Sequence, residues 1–144
     1  MEALQLNTAR LCVNAFAANE LDKVDSHLSD RDDLTWEIRP GSLEGSWMGG
    51  ERRGKKQVSE LWRKDRGEVY QDIKNLEMKN IVQSKDAIAF LLTYERMASS
   101  AVESEPKAFE GELAFFLEFE PGTDKILKGI KFVDSGALAP LPVD

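Results

Sequence analysis

Apolar residues recur at helical spacing in three segments of the first half of the chain. Spacings of three and four positions place such residues on one face of a helix. The three segments are residues 3–18, 20–28 and 55–63. The residues that define their apolar faces are Ala9, Cys12, Val13 and Phe16, then Leu21, Val24 and Leu28, then Val58, Leu61 and Trp62. The pattern therefore predicts three N-terminal helices, each with one buried face.

Shorter apolar runs, separated by turn residues, fill the rest of the chain. A first short strand is predicted at residues 34–38, and Pro40 ends it because proline cannot donate to a ladder. Residues 42–54 are rich in glycine and are predicted to form a loop. Four longer strands are predicted at residues 72–82, 87–98, 109–119 and 126–134. Their short links indicate antiparallel pairing, so we expect one α+β domain over residues 1–144.

Two of the predicted strands are apolar at every position. They are residues 88–92 and 113–117. A strand with one face in water alternates between apolar and polar residues, so both faces of these strands are expected to be covered. Helices cover only one face of the sheet. We therefore expect a homodimer formed through the outer face.

Composition and charge exclude several classes of function. The net charge is −7, which leaves no broad basic surface for duplex nucleic acid. No apolar run approaches the ~20 residues that span a bilayer, and no signal peptide is evident. A cytoplasmic protein without nucleic-acid or membrane partners is therefore expected. Cys12 and His27 are the only residues of their types, so we expect no disulfide, metal or other cofactor.

The order of elements and three short motifs resemble the nuclear transport factor 2-like (NTF2-like) superfamily. The motifs are Pro40-Gly41-Ser42-Leu43, residues 112–117 leading into Phe119, and residues 125–135. Within the superfamily the chain resembles SnoaL-like polyketide cyclases and isomerases, above all fungal members from natural-product pathways. The resemblance implies three helices packed on a curved antiparallel sheet that forms a cone. Such a fold encloses one cavity, suited to isomerisation, cyclisation, dehydration or binding.

The catalytic residues of three similar families are mostly absent from this chain. Where ketosteroid isomerase has its aspartate base, this sequence has Ile38, and its acidic hydrogen-bond donor corresponds to Phe115. Arg96 matches the arginine of limonene-epoxide hydrolase, but the partner positions are Ala98 and Lys131. Scytalone dehydratase needs two cavity histidines, and this chain has a single histidine. The resemblance thus implies the fold without supporting any of these three reactions.

The strand parity implied by the resemblance places two cations in an apolar cavity. Arg96 and Lys131 would be costly there unless they met a ligand carboxylate, phenolate or developing enolate. Burial beside Arg96 is expected to lower the pKa of Lys131 and make it a candidate base. The other catalytic candidates are Tyr94, Glu112 and His27. The residues expected to contact substrate are Trp36, Ile38, Arg39, Trp62, Phe90 and Phe115.

The leading hypothesis is a cofactor-independent isomerase or cyclase that acts by acid/base chemistry. Its substrate would be an apolar polycyclic intermediate of polyketide or meroterpenoid type, bound against the aromatic lining. Two alternatives remain open, a dehydratase on a similar substrate and a non-catalytic small-molecule-binding or dimerisation module. A register shift of one residue would turn Arg96 and Lys131 out to solvent as ordinary strand charges. Glu112 and His27 also have an alternative interpretation as surface residues.

Overall fold

The helices form one layer against the inner face of the sheet. The structure is a computed structural model that describes residues 1–39, 49–98 and 107–133. Its helices are α1 (Glu2–Ala17), α2 (Leu21–Asp25) and α3 (Lys55–Lys64), and α3 continues as a π-helical turn (Asp65–Val69). All three predicted helices are present, although α2 is shorter than expected. None of the helices in these ranges is both long and apolar enough to span a membrane.

Within the described ranges, six strands form one curved, mixed sheet. They are β1 (Thr35–Arg39), β2 (Gly50–Arg53), β3 (Lys74–Ser84), β4 (Ala87–Ala98), β5 (Lys107–Phe119) and β6 (Ile126–Val133). The order across the sheet is β2-β1-β6-β5-β4-β3. The predicted antiparallel pairing holds for β3 to β6, but β1 runs parallel to β6. Parallel neighbours need a long crossover, and here α3 and four strands lie between β1 and β6 along the chain.

The edge strand β2 corrects the prediction of a loop over residues 42–54. Gly50–Arg53 pairs antiparallel with β1, from Ile38 opposite Gly50 to Thr35 opposite Arg53. The strand is short and has no apolar side chain, so hydrophobic patterning gives no sign of it. Residues 40–48, which carry the rest of the predicted loop and the Pro40-Gly41-Ser42-Leu43 motif, lie outside the described residues. Residues 134–144 lie outside them as well.

The predicted strand parity is confirmed. The inward residues of β4, namely Ile88, Phe90, Leu92 and Tyr94, are all buried, as are Leu113 and Leu117 of β5. Lys131 is buried on the inner face of β6. On the outer face, Leu91 and Phe116 are only partly buried and Phe132 is 43% exposed. Register therefore places one of the two predicted cations, Lys131, firmly inside the fold.

Candidate active site

A small cavity lies between the helices and the inner face of the sheet. Its volume is about 70 Å³. Ligand pockets for drug-sized molecules have volumes of roughly 300–1,000 Å³. The walls are mainly apolar side chains of α1, α3, β4, β5 and β6, and the exceptions include Asp65, Tyr70 and Lys131. An apolar cavity that holds benzene has a volume of roughly 150 Å³, so a ring compound enters this cavity only if side chains move. The cavity is therefore smaller than the sequence predicted.

A buried ion pair forms the polar part of the cavity wall. Lys131 Nζ donates to Asp65 Oδ2 at 2.6 Å, and both residues are buried. Asp65 opens the π-helical turn and continues the buried face of α3, three positions after Trp62 and seven after Val58. Lys131 projects from β6, beside Ile38 in the parallel β1–β6 pair. The helix and the sheet therefore each supply one charge.

The pKa of Lys131 is raised, in contrast to the sequence prediction. Burial, the largest single influence, pulls this pKa down, but the negative charge of Asp65 and the hydrogen bond to it, together with the neighbouring Tyr70, outweigh burial. The prediction was wrong because the nearest charged partner is the carboxylate of Asp65 and not the guanidinium of Arg96. Lys131 consequently stays an ammonium ion at neutral pH. It acts as a cation and hydrogen-bond donor, and it is not a base.

Tyr70 lies at the centre of the cationic end of the cavity. Lys131 Nζ lies 4.4 Å from the centroid of its ring, and the guanidinium carbon of the half-buried Arg96 lies 5.9 Å from it. Phe16 and Tyr94 meet the same ring edge-on, at centroid distances of 6.0 and 5.5 Å. Ring faces attract cations, so Tyr70 helps to hold Lys131 in place. Burial raises the pKa of Tyr94, whose phenol stays neutral at pH 7.

Aromatic rings form another part of the cavity wall. Phe90 and Phe115 stack with centroids 5.3 Å apart, and Trp36 meets Trp62 edge-on at 4.7 Å. All four line the cavity, while their contact with a substrate stays a prediction. The Trp36 ring lies directly on Gly129, where any Cβ atom would overlap it. Among the described residues, Trp62 Nε1 is buried without a hydrogen-bond partner.

Glu112 lies outside the cavity, which corrects its candidacy as a catalytic acid or base. It is exposed on the outer face, opposite Thr93 in the β4–β5 pair. The odd-numbered neighbours Leu113, Phe115 and Leu117 point inward, so strand alternation turns Glu112 outward. It lines an outer groove together with other glutamates.

His27, Arg39 and Ile38 are also absent from the cavity wall. His27 is half-buried beside the start of β6, where its carbonyl accepts from the Ile126 backbone N–H at 2.9 Å. Burial, and next the charge of Lys125, lower the pKa of its imidazole. Arg39 is exposed and paired with Glu37 at 2.9 Å. Ile38 is a core residue.

Sequence reasoning missed Asp65 and Tyr70. The predicted third helix stopped at residue 63, two positions before the aspartate. The sequence does contain a signal for Asp65. If the helical spacing of Val58, Leu61 and Trp62 is continued by one turn, it leads to residue 65. A carboxylate on the apolar face of an amphipathic helix is the kind of exception that marks a site. The π-helical turn that brings both residues to the cavity has no sequence signature of its own.

Comparisons with known proteins identify the architecture. No protein-family model matches the chain, and no curated protein matches it. An NTF2-like protein of unknown function from Burkholderia pseudomallei has a similar structure. Its TM-score is 0.77 at 18% identity, over 98% of each chain. The chain has the NTF2-like fold.

Two further structural matches carry more informative names. TerC, co-crystallised with polyporic acid, has a TM-score of 0.75 at 12% identity over 96% of this chain and 97% of TerC. An LEH-like epoxide hydrolase from M. tuberculosis has a TM-score of 0.64 at 16% identity, over 94% of this chain and 86% of the hydrolase. These identities establish a shared fold, which hosts many chemistries.

Proposed function

We propose that the chain is a cofactor-independent isomerase that binds a carbonyl compound in the cavity and moves a proton within it. The observation that carries the proposal is the buried Lys131–Asp65 pair in the wall of an otherwise apolar cavity. Burying such a pair usually costs more than the attraction returns, and apolar residues would close the same core at least as well. A buried pair beside a cavity is therefore better explained by chemistry than by stability.

Asp65 and Lys131 supply complementary halves of a proton transfer. The carboxylate of Asp65 takes a proton from the carbon next to the carbonyl, and the electron pair moves into the enolate. Lys131 donates to the enolate oxygen as its charge develops, because an ammonium has three N–H donors and Asp65 Oδ2 accepts only one. Asp65 then returns the proton to a different carbon. The cycle is balanced and needs no cofactor.

Tyr70, Tyr94 and Arg96 have positioning roles in this proposal. The Tyr70 ring lies against Lys131 Nζ and limits the directions in which the ammonium can move. Tyr94 packs edge-on against Tyr70, and Arg96 lies over it. The predicted catalytic roles of Tyr94 and Arg96 are thus replaced by support of the ring that holds Lys131.

The proposed substrate is a flat, largely apolar ring compound. The stacked Phe90 and Phe115 and the two cavity tryptophans favour such a shape. A polyketide or meroterpenoid intermediate remains the proposed natural source, and the similarity to TerC, crystallised with polyporic acid, supports an aromatic ligand. With a volume of about 70 Å³, the cavity admits even the reacting ring only when side chains move. Dehydration or cyclisation would use the same transfer at Asp65.

The isomerase proposal is tested with cyclic β,γ-unsaturated ketones of one, two and three rings. Wild-type protein is expected to convert at least the smallest to the conjugated enone, followed by absorbance. Asp65→Asn is expected to lower the rate by about 10²–10⁴-fold, the usual worth of a positioned general base. Asp33→Asn, the same change in an exposed pair, serves as the matched control and should keep the wild-type rate. No acceleration of any ketone by wild type would contradict the proposal.

A non-catalytic binding module is the second candidate. The observation that favours it is the charge of the ion pair in the cavity wall. The carboxylate of Asp65 already neutralises the ammonium of Lys131. In the part of the chain that the structure describes, the cavity wall contains no second carboxylate or histidine. This candidate predicts that Lys131→Met weakens the binding of an anionic ligand while no ketone is ever turned over.

We also propose that the chain forms a homodimer through the outer face of the sheet. Leu91, Phe116 and Ile130 form a partly buried apolar patch there, and Phe132 beside them is 43% exposed. Phe132→Glu is expected to convert a dimer into a monomer in sedimentation-velocity experiments. Leu11→Glu, an exposed apolar position on α1, is the control that should leave the dimer intact. A monomeric wild type would contradict the proposal.

A further inference from the structure

Trp62 carries a polar group that the proposed reaction leaves unused. The residue is only 8% exposed, and within the described ranges its indole Nε1 has no hydrogen-bond partner. An indole N–H can donate but cannot accept, so only an acceptor oxygen or nitrogen satisfies it. Buried tryptophans usually find such an acceptor, because an unpaired buried donor is unfavourable. The described residues therefore leave this donor without an acceptor, which a ligand oxygen could supply.

Trp62, which carries this donor, lines the same cavity as the ion pair. It lies one helical turn before Asp65, on the same face of α3 and its π-helical extension. Its ring is fixed edge-on against Trp36. Stacked Phe90 and Phe115 supply an apolar surface in the same space. The cavity wall thus includes the ammonium of Lys131, a tryptophan whose N–H has no partner among the described residues, and a flat apolar surface.

We propose that Trp62 donates a hydrogen bond to a second oxygen of the substrate. The inference rests on the proposed function for the first contact, at Lys131, and adds the substrate class. The substrate is then a ring ketone with a second acceptor oxygen on or beside the same ring. Its enolate carries one negative charge for the ammonium of Lys131, and its second oxygen meets Trp62. The remaining ring atoms are apolar and fit against the phenylalanines.

Two small probe molecules of nearly equal shape distinguish the binding of one acceptor oxygen from the binding of two. Cyclohexane-1,3-dione has both oxygens, while 3-methylcyclohex-2-enone has a methyl group in place of one of them. Trp62→Phe removes the N–H and keeps an aromatic ring. This variant is expected to bind the dione about tenfold more weakly than wild type does, with little change for the enone. Trp36→Phe makes the same change in the neighbouring ring and should retain the wild-type ratio of the two affinities.

A spectroscopic readout accompanies the affinities and does not depend on a variant that folds. In wild type, the indole ¹H–¹⁵N resonance of Trp62 should move downfield with the dione and stay in place with the enone. An unmoved resonance at saturating dione would overturn the inference, and so would failure of the dione to bind. An unchanged ratio of affinities in folded Trp62→Phe would overturn it too.

These outcomes differ from those of the isomerase test. If ketones are not isomerised but the dione shifts the Trp62 resonance and loses affinity in Trp62→Phe, the two-oxygen ligand stands and the isomerase proposal fails. If ketones are isomerised through Asp65 while Trp62→Phe leaves the dione affinity unchanged, the isomerase proposal stands and the second contact at Trp62 fails.

Discussion

Two ion pairs of equal length show how differently the cavity and the surface treat charge. Lys131–Asp65 in the cavity and Arg31–Asp33 in the turn before β1 both have N–O distances of 2.6 Å. Their side chains are 5% and 9% exposed in the first pair and 51% and 54% exposed in the second. Distance alone does not distinguish them. Burial does, and it marks the cavity pair as the candidate for function.

The physical difference is the cost of taking charges out of water. On the surface, water solvates each charge whether or not its partner is present, so the pair contributes little. In the cavity each charge has lost its water, and only its partner compensates it. Removing one charge should therefore destabilise the fold at the buried pair and have little effect at the surface pair.

The largest expected effect comes from removing one charge of the buried pair. Asp65→Asn should lower the free energy of unfolding by about 3–5 kcal/mol, because the ammonium of Lys131 is left without a counter-charge. Urea unfolding at neutral pH measures it. Asp33→Asn should leave the unfolding midpoint where it is in wild type. Equal midpoints for the two variants would remove the distinction between the pairs.

A smaller effect is expected from crowding the cavity wall. Gly129→Ala places a Cβ atom on the Trp36 ring, and the required shift should cost about 1–3 kcal/mol. Gly67→Ala is the matched change at a glycine with open space around the added Cβ, and it should alter stability by less than about 0.5 kcal/mol. Thermal unfolding compares the two. Equal melting temperatures would mean that Trp36 does not rest on Gly129.

Strand alternation made much of the inner wall predictable from the sequence. If Phe90 and Leu92 point inward, alternation along β4 predicts that Tyr94 points inward as well. Alternation along β6 predicts the inward direction of Lys131 in the same way. The same alternation turns Glu112 outward, so its candidacy conflicted with the inward direction predicted for Phe115. The parallel position of β1 was not predictable from local links, because the pairing joins strands that are distant along the chain.

The position of Asp65, the proposed general base, was not predictable, because it depends on where and how α3 ends. Helical spacing places Asp65 on the buried face, but whether the helix reaches residue 65 depends on packing against the sheet. The π-helical turn that follows is set by tertiary contacts and not by local propensity. The pKa prediction for Lys131 failed for the same reason, since it was made without the partner carboxylate.

A third prediction uses pH to separate Lys131 from other groups. Its ordinary pKa of 10.5 is raised in the folded protein, so its stabilising effect is full below about pH 10.5. That effect is lost as pH rises from there through the higher folded pKa. Wild-type stability should therefore fall above pH 10.5, by about 1.4 kcal/mol per pH unit more steeply than in the double variant Lys131→Met/Asp65→Leu.

The double variant also serves as the internal reference for this titration. Tyr94 and Cys12, whose pKa values burial also raises, the latter to about 12, contribute to the fall in both proteins. The difference between the two curves then reports mainly on Lys131, with a smaller part from Tyr94, whose pKa Lys131 lowers. Parallel curves from pH 9 to 12 in urea-unfolding experiments would show that the ammonium gains nothing from folding.

The smallest expected change in stability is that of the double variant at neutral pH. Replacing both charges by apolar residues of similar size is often neutral or stabilising, so its unfolding free energy should lie within about 1 kcal/mol of wild type. Urea unfolding again measures it. A loss as large as that of Asp65→Asn would show that the pair is needed to hold the fold together.

The most direct measurement is hydrogen exchange into a bound ketone by wild type and the folded double variant, side by side. NMR in D₂O follows deuterium entering the carbon next to the carbonyl of cyclohex-3-enone. Wild type should accelerate this exchange well above buffer, and the double variant should return it to the buffer rate. A folded double variant that exchanges the ketone as fast as wild type would contradict the account.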